Sequence, residues 1–339
     1  MNDSLKKLFS KGNEFLGTKY PIMCGAMTWL SERNLVSAIS NSGGFGIIAC
    51  GSMNSEQLEE EIIATEKMTN NFFGVNLILL HPEIDDLINC CISQKVNLVV
   101  FAGGFPKKRQ IEILKENNVK TMCFATTLSI AKKMISNGID SLVLEGSEAG
   151  GHIGPVSINV LIQEILPEID EVPVFVAGGI GRGEVILKFL QLGASGCQIG
   201  TRFVCAKESV AHKNFKEIFI KSEARNAQVS IKLDDRFPVI PVRAIENNAT
   251  KDFLSEQKRL LNLIDSNKVS LKDAQLAIEH FWAGSLKNAV LNGDIQNGSL
   301  MAGQSVSLVK KVQTVEEIFE ELLLQIKGQI NQEEMRSNG

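Results

Sequence analysis

Several features are scarce in this chain of 339 residues, and each scarcity excludes something. No apolar run reaches the roughly 18 residues that a membrane span needs, so no membrane partner is expected. Basic charge is not in excess. Lys and Arg number 35 against 39 Asp and Glu, a formal net charge of -4 with the signs interspersed. A nucleic-acid partner, which requires a basic stripe, is therefore not expected. The seven cysteines are scattered and odd in number, and none falls in a CxxC pair that would hold zinc. They read as reduced thiols, mostly packed in a core, with no metal site. Met1 to Gly12 is polar and lacks the apolar stretch of a signal peptide, so the expected location is cytoplasmic. Histidine is rare, with only His81, His152, His212 and His280.

What is present is a globular composition, with 44% hydrophobic and 22% charged residues, on a chain long enough for a large core. From residue 20 to about 205, short apolar runs alternate with longer amphipathic stretches. Eight runs read as strands: Pro21–Ala26, Phe45–Ala49, Phe72–Leu79, Leu98–Ala102, Thr121–Ala125, Ser141–Glu145, Pro173–Ala177 and Gly196–Gly200. They are continuously apolar, as strands of a parallel sheet covered on both faces should be. Helical stripes lie between them, such as Leu58, Ile62 and Ile63 after Asn54, an N-cap with Gln57 as its partner. Eight such units predict an α/β fold of the (β/α)8 TIM-barrel type, although periodicity alone also admits an open doubly wound sheet. After residue 205 the rhythm becomes helical, with Lys258–Ile264 and Leu271–Leu286 among the helices. A glycine-rich stretch, Asn297–Gln304, and a last helix over about Val315–Ile326 follow. Residues 15–205 with 290–330 are therefore assigned to the barrel, and 206–289 to a mainly helical subdomain covering its active-site side.

Active sites of such barrels sit at the C-terminal strand ends. The first strand ends in Gly25-Ala26-Met27-Thr28-Trp29, small residues that suit a flat aromatic ligand or a packed turn. The third carries Asn76 within an apolar run, and a buried amide there links strands or bonds a ligand. The seventh ends in Ala177-Gly178-Gly179 and the eighth in Gln198-Ile199-Gly200-Thr201. Paired in this order, these two glycine turns are expected to hold a phosphate on backbone N–H groups. The sixth ends in Glu145-Gly146-Ser147-Glu148-Ala149-Gly150-Gly151-His152. Glycine gives a ligand room, and His152 can move a proton near neutral pH. Glu145 is expected to bond a ligand or orient the loop, and Glu148 is a weaker candidate. The other histidines read as surface or packing residues. This pattern fits a phosphorylated cofactor such as FMN and equally a sugar-phosphate enzyme.

Glu148-Ala149-Gly150-Gly151-His152, Tyr20-Pro21-Ile22, Ser42-Gly43-Gly44-Phe45-Gly46 and Ala177-Gly178-Gly179-Ile180 together resemble the nitronate monooxygenase superfamily, formerly 2-nitropropane dioxygenase. Three further segments are similar to its FMN-dependent enoyl-acyl-carrier-protein reductases of bacterial type II fatty-acid synthesis. They are Gly200–Ser209, Val242-Arg243-Ala244-Ile245 and Ser299–Gln304. The resemblance covers about residues 15 to 325. It implies FMN at the barrel mouth, with Gly25, Ala26 and Met27 near the isoalloxazine and Asn76 close by. It implies that Gly178, Gly179, Gly200 and Thr201 hold the phosphate after Gln198, and that Met301, Gly303 and Gln304 close over the flavin. NADH or NADPH is the implied co-substrate. The substrate is an acyl-carrier-protein thioester or, alternatively, a small nitronate oxidised with O2, and a homodimer is compatible with either. The family often has Gly-Gly-Met-Ala-Trp where this chain has Gly25-Ala26-Met27-Thr28-Trp29, so added bulk at Ala26 and Thr28 bears on access to the flavin.

Overall fold

The computed structural model of the chain describes residues 3–235 and 240–337. Its strands are β1 (Ile22–Cys24), β2 (Gly46–Ala49), β3 (Phe73–Ile78), β4 (Leu98–Ala102), β5 (Lys120–Phe124), β6 (Ser141–Glu145), β7 (Gly151–His152), β8 (Val174–Ala177), β9 (Gly196–Ile199), β10 (Ala227–Val229) and β11 (Val242–Ile245). Eight form one parallel sheet in the order β1-β9-β8-β6-β5-β4-β3-β2. The ring closes where Met23 bridges Phe45. There the Cys24 N–H donates to the Phe45 carbonyl at 2.9 Å and the Phe45 N–H to that of Ile22 at 3.0 Å. The fold is thus a TIM barrel, and the open-sheet alternative is set aside by those bonds. All eight expected barrel strands are present, with ends shifted by a residue or two.

Alternation within each strand explains the continuous apolar runs. One set of side chains points into the barrel: Met23, Phe45, Ile47, Leu98, Val100, Met122, Val143 and Phe175 form one cluster, all at most 2% exposed. The other set, including Ile22, Ile48, Val75, Val99, Leu142 and Val176, packs against the surrounding helices. Helices Arg33–Asn41, Ser55–Glu66, Ile84–Ser93, Lys108–Glu116, Leu128–Ser136, Ile158–Ile165 and Gly183–Gln191 follow the strands in turn. The expected cap of Ser55–Glu66 is present: the Gln57 N–H donates to Asn54 Oδ1 at 2.9 Å and the Asn54 N–H to Gln57 Oε1 at 3.1 Å. The N-terminal helix Asp3–Leu16 stoppers the opposite end, where Leu16 and Phe15 join the interior cluster.

After β9 the barrel helix is a single turn, Thr201–Val204. The chain then leaves the barrel and returns as Val315–Ser337, which packs against Gly183–Gln191 and Arg33–Asn41. It fills the eighth helical position and runs beyond the expected end at Ile326. Its stripe Val315, Ile318, Phe319, Leu322 and Ile326 is buried, with Phe319 stacked on Phe203 at 5.8 Å between ring centres. A Cβ at Gly183 would lie 2.0 Å from the Leu322 carbonyl oxygen, so that contact needs glycine.

The excursion between them contains helices Lys213–Lys221, Asn248–Asp265 and Leu271–Asn292, and also β10 and β11, which a mainly helical reading did not include. β10, β11 and β7 make a small antiparallel sheet, with Val242 opposite His152 and Arg243 opposite Gly151. Phe253, Leu260, Ile278 and Trp282 form a separate apolar cluster with Val242. Six of the seven cysteines are buried and Cys90 is half-buried. Among the described residues no helix is long and apolar enough to cross a membrane.

The eighth-helix role of Val315–Ser337 gives a direct expectation. Phe319→Ala removes a fully packed ring and costs about 3–5 kcal/mol. Leu324→Ala, at a position 68% exposed on the same helix, changes stability by less than about 0.5 kcal/mol. Urea unfolding midpoints of the two variants check the contrast.

Candidate active site

The interior apolar layer ends one step below the C-terminal rim. In the next inward row the side chains become small or polar: Gly25 after β1, Asn76 on β3, Glu145 on β6, Ala177 on β8 and Gln198 on β9. Above this row lies a cavity of about 430 Å³, within the range of cofactor sites. Its wall contains Gly25, Ala26, Met27, Asn76, Glu145, Gly150, Gly151, His152, Ala177, Gly178, Gly179, Gln198, Gly200, Thr201, Met301 and Gly303. The barrel therefore brings together every residue singled out from the sequence except Gln304 and the weaker candidate Glu148. Gln304 stands behind the wall, where its N–H donates to the Glu148 carbonyl at 3.0 Å. His81 and His212 accept backbone N–H groups from Glu83 and Asn214, and His280 is exposed.

Two glycine turns meet on one side of the cavity. Gly178 and Gly179 have φ of +97° and +70°, backbone conformations that favour glycine, and both line the cavity without a side chain. A Cβ at Gly178 would lie 3.0 Å from the Gly146 carbonyl oxygen, so the turns after β6 and β8 interlock. Thr201 Oγ1 accepts the Gly303 N–H at 2.9 Å, which leaves its hydroxyl proton to donate.

Across the cavity, the loop from Glu145 to His152 is fixed from three directions. Arg243 on β11 is 7% exposed. Its Nε and Nη2 donate to the Ser147 carbonyl at 3.0 and 2.8 Å, and its Nη1 to that of Ala227 at 2.6 Å. Glu148 Oε2 accepts the Ile158 N–H at 3.0 Å, which caps the helix Ile158–Ile165 and turns the side chain out of the cavity. The third contact corrects the sequence reading of Gly150. Its missing side chain makes room chiefly for the chain itself, since a Cβ would lie 2.4 Å from the Gly303 nitrogen and 2.5 Å from the Ala302 carbonyl carbon. The segment Leu300–Ala302 lies along β11, where the Ile245 N–H donates to the Leu300 carbonyl at 2.9 Å, and Met301 stands over Gly151.

The polar side chains within the mouth differ in how they are satisfied. Asn76 Nδ2 donates to the Val100 carbonyl at 3.2 Å, so the amide links β3 to β4 and also lines the cavity. Among the described residues no cation pairs with Glu145, which lines the cavity. Burial alone pushes its carboxyl up to about 8. His152 Nε2 lies 3.1 Å from Oε2 of Glu279, on the helix Leu271–Asn292, and the two line the same cavity. Nothing in the sequence marked Glu279. It occupies an ordinary polar position of an amphipathic helix.

The comparisons with known proteins agree with this geometry. The family model for nitronate monooxygenase matches residues 10–325, so the chain belongs to that family. It is a flavin-dependent oxidoreductase of the TIM-barrel type, and FMN is the family's cofactor. FabK from Thermotoga maritima superposes with a TM-score of 0.84 at 33% identity, covering 96% of this chain and 98% of FabK. A protein named probable nitronate monooxygenase from Staphylococcus aureus is 28% identical, over 80% of this chain and 90% of its own. An oxo-octahydro-indene-carboxyl-CoA dehydrogenase from Rhodococcus jostii is 33% identical, over 65% of this chain and only 62% of that protein's length.

Two outcomes follow from the site. The carboxyl of Glu145 rises from its ordinary 4.5 to about 8 on folding, so the folded chain binds the extra proton between those values. Its contribution to stability is full below about pH 4.5 and is lost as pH climbs to about 8. Glu145→Gln should flatten that decline in urea titrations of the ligand-free protein at pH 5 and pH 8; an unchanged slope contradicts it. Arg243→Lys retains a charge but not the fork onto Ser147 and Ala227. The loss is expected to be about 2–4 kcal/mol, read from the same titrations.

Proposed function

We propose that the protein reduces the carbon–carbon double bond of a trans-2-enoyl thioester, carried on acyl-carrier protein in bacterial fatty-acid synthesis. NADH or NADPH is the electron source and FMN the resident cofactor. The observation that carries this reading is the apolar lip of the cavity. Leu80 and Phe105, each 47% exposed, lie on its wall beyond Ile78 and Ala102. A small nitronate has no use for such a surface, whereas an acyl chain can lie along it. The 33% identity with FabK, an enoyl-acyl-carrier-protein reductase, over nearly the whole chain supports the same choice. So does the CoA thioester in the name of the Rhodococcus relative.

The residues present fit FMN. The Gly178-Gly179 turn lines the cavity with no side chain in the way of its backbone N–H groups, and Gly200 with Thr201 adds backbone and hydroxyl donors on the same wall. Gly25, Ala26 and Met27 offer a flat, small wall for the ring system. Asn76, Gln198 and Glu145 supply polar groups along one edge. Met301 and Gly303 close the opposite side, with Gln304 holding the Glu148 loop from behind. When bound, FMN supplies hydride to the substrate's β-carbon.

The chain's own work is then to orient the thioester, exclude water and deliver one proton to the α-carbon. His152 is the residue assigned to that proton and to polarising the thioester carbonyl. Residues 206–289 serve as the cover and 15–205 with 290–330 as the FMN-binding body. A cytoplasmic location goes with such a partner.

His152→Ala should retain FMN, seen by its absorbance, while crotonyl-thioester reduction slows about 10²- to 10⁴-fold. Unchanged turnover removes the role. The second reading, nitronate oxidation with O2, draws on the name of the Staphylococcus relatives. Anaerobic mixing separates the two. Bleaching of the flavin by NAD(P)H supports the reductase, and bleaching by a small nitronate but not by NAD(P)H supports the oxygenase.

A further inference from the structure

His152 faces a second ionisable group that the functional reading does not use. Its Nε2 is closed off from solvent and makes no well-directed hydrogen bond, yet Glu279 Oε2 lies 3.1 Å away. Distance is satisfied and alignment is not, a state usual for catalytic hydrogen bonds before substrate is bound. Among the described residues Glu279 is the acidic side chain within ion-pair distance of the imidazole. The remaining charges nearby are otherwise engaged or more distant. Arg243, on the paired strand, is turned onto the carbonyls of Ser147 and Ala227. Glu148 caps the helix Ile158–Ile165, and Glu145 lies at the end of β6 within the mouth.

The helix that carries Glu279 is also held in place. It shares a helix face with Leu286, two turns on, which lines the same cavity. One turn beyond Glu279, the Ala283 carbonyl accepts the indole N–H of Trp29 at 2.9 Å. Lys287 lies over the same indole ring at 4.6 Å. Trp29 has φ of +67°, a strained conformation for a large residue. The turn after β1 thus grips the helix that carries Glu279, and that helix is anchored to the barrel rather than to a free cover.

We propose that Glu279 is the positioning residue of His152: its carboxylate takes the Nε2–H, fixes the tautomer and ring orientation, and leaves Nδ1 to face the substrate. The bond a histidine makes at one nitrogen decides what the other can do. With Nε2–H held, the protonated ring gives its Nδ1 proton to the α-carbon and becomes neutral while keeping the Nε2 proton. Solvent then restores the proton at Nδ1. The proposal rests on the role given to His152 above.

Its test separates the pair from the substrate. In the FMN-bound protein, the imidazole ring-nitrogen resonances of only four histidines are compared at one neutral pH between the wild type and Glu279→Gln, a near-isosteric change that removes the charge. The expected result is that the His152 signals alone change, losing the pattern of a ring that keeps its proton on Nε2. An unchanged His152 pattern overturns the pair, whatever the enzyme acts on. With crotonyl thioester, Glu279→Gln should lower kcat about tenfold or more and leave KM nearly unchanged, the scale on which losing a histidine-orienting carboxylate is felt. In a His152→Ala background the same change should have no further effect on kcat, and an undiminished effect there overturns the proposal. Failure of the wild type to reduce any enoyl thioester overturns the substrate reading only, and the ring-nitrogen spectrum still decides the pair.

Discussion

The apolar layer inside the barrel is the constraint on which the rest depends. Met23, Phe45, Ile47, Leu98, Val100, Met122, Val143 and Phe175 fill the interior and leave no room there for a polar group or a ligand. Chemistry can begin only where that layer stops, one inward position further along each strand. The period of two then dictates the site: Asn76, Glu145, Ala177 and Gln198 share a row because each follows an inward residue on its own strand. Polar groups at this level sit over hydrocarbon and under a cover, so their electrostatic interactions are stronger than in water. The same setting makes Glu145 unfavourable to ionise, which is a destabilising feature with no structural return in the ligand-free protein. Strain of that kind is common at positions that bind or react.

Much of this arrangement was legible because a parallel barrel writes itself plainly into sequence. Both faces of each strand are buried, so each strand is a continuous apolar run, and eight runs separated by amphipathic helices admit few folds. The glycine turns after β8 and β9 were legible for a related reason, since left-handed φ at Gly178 and Gly179 restricts what can stand there. Closure was not legible. It consists of a bridge between Met23 and Phe45 and a pair of backbone bonds that any residues could make.

Other features were hidden because they exist only through tertiary contact. β7 is two residues long and β10 is three, too short for any pattern, and they are strands only because β11 lies between them. Gly150 was read as space for a ligand, whereas the close neighbour of its missing Cβ is the backbone of Ala302 and Gly303, from the far end of the chain. Arg243 drew notice through a family likeness, but its clamp on the Ser147 carbonyl depends on a loop contributed by a different strand. Glu279 had no signal at all. A polar glutamate on an amphipathic helix is ordinary, and what sets it apart is the histidine that the small β sheet brings next to it.

These hidden contacts share one cause, the route of the chain after β9. The eighth barrel helix is reduced to one turn, and its place is taken by Val315–Ser337. Everything between is an excursion whose two ends are both built into the barrel wall. A segment tied at one end would act as a mobile lid, and a carboxylate on it would meet His152 only part of the time. Here the outgoing end is fixed by Phe203 beneath Phe319, and the incoming end by Gly303 against Gly150 and Thr201. The middle is held by Trp29 on Ala283. Tertiary anchors at three points tie the described parts of the excursion to the barrel. The barrel supplies the histidine and the excursion its neighbouring carboxylate, so the packing that completes the eighth helix also sets the geometry between the two side chains.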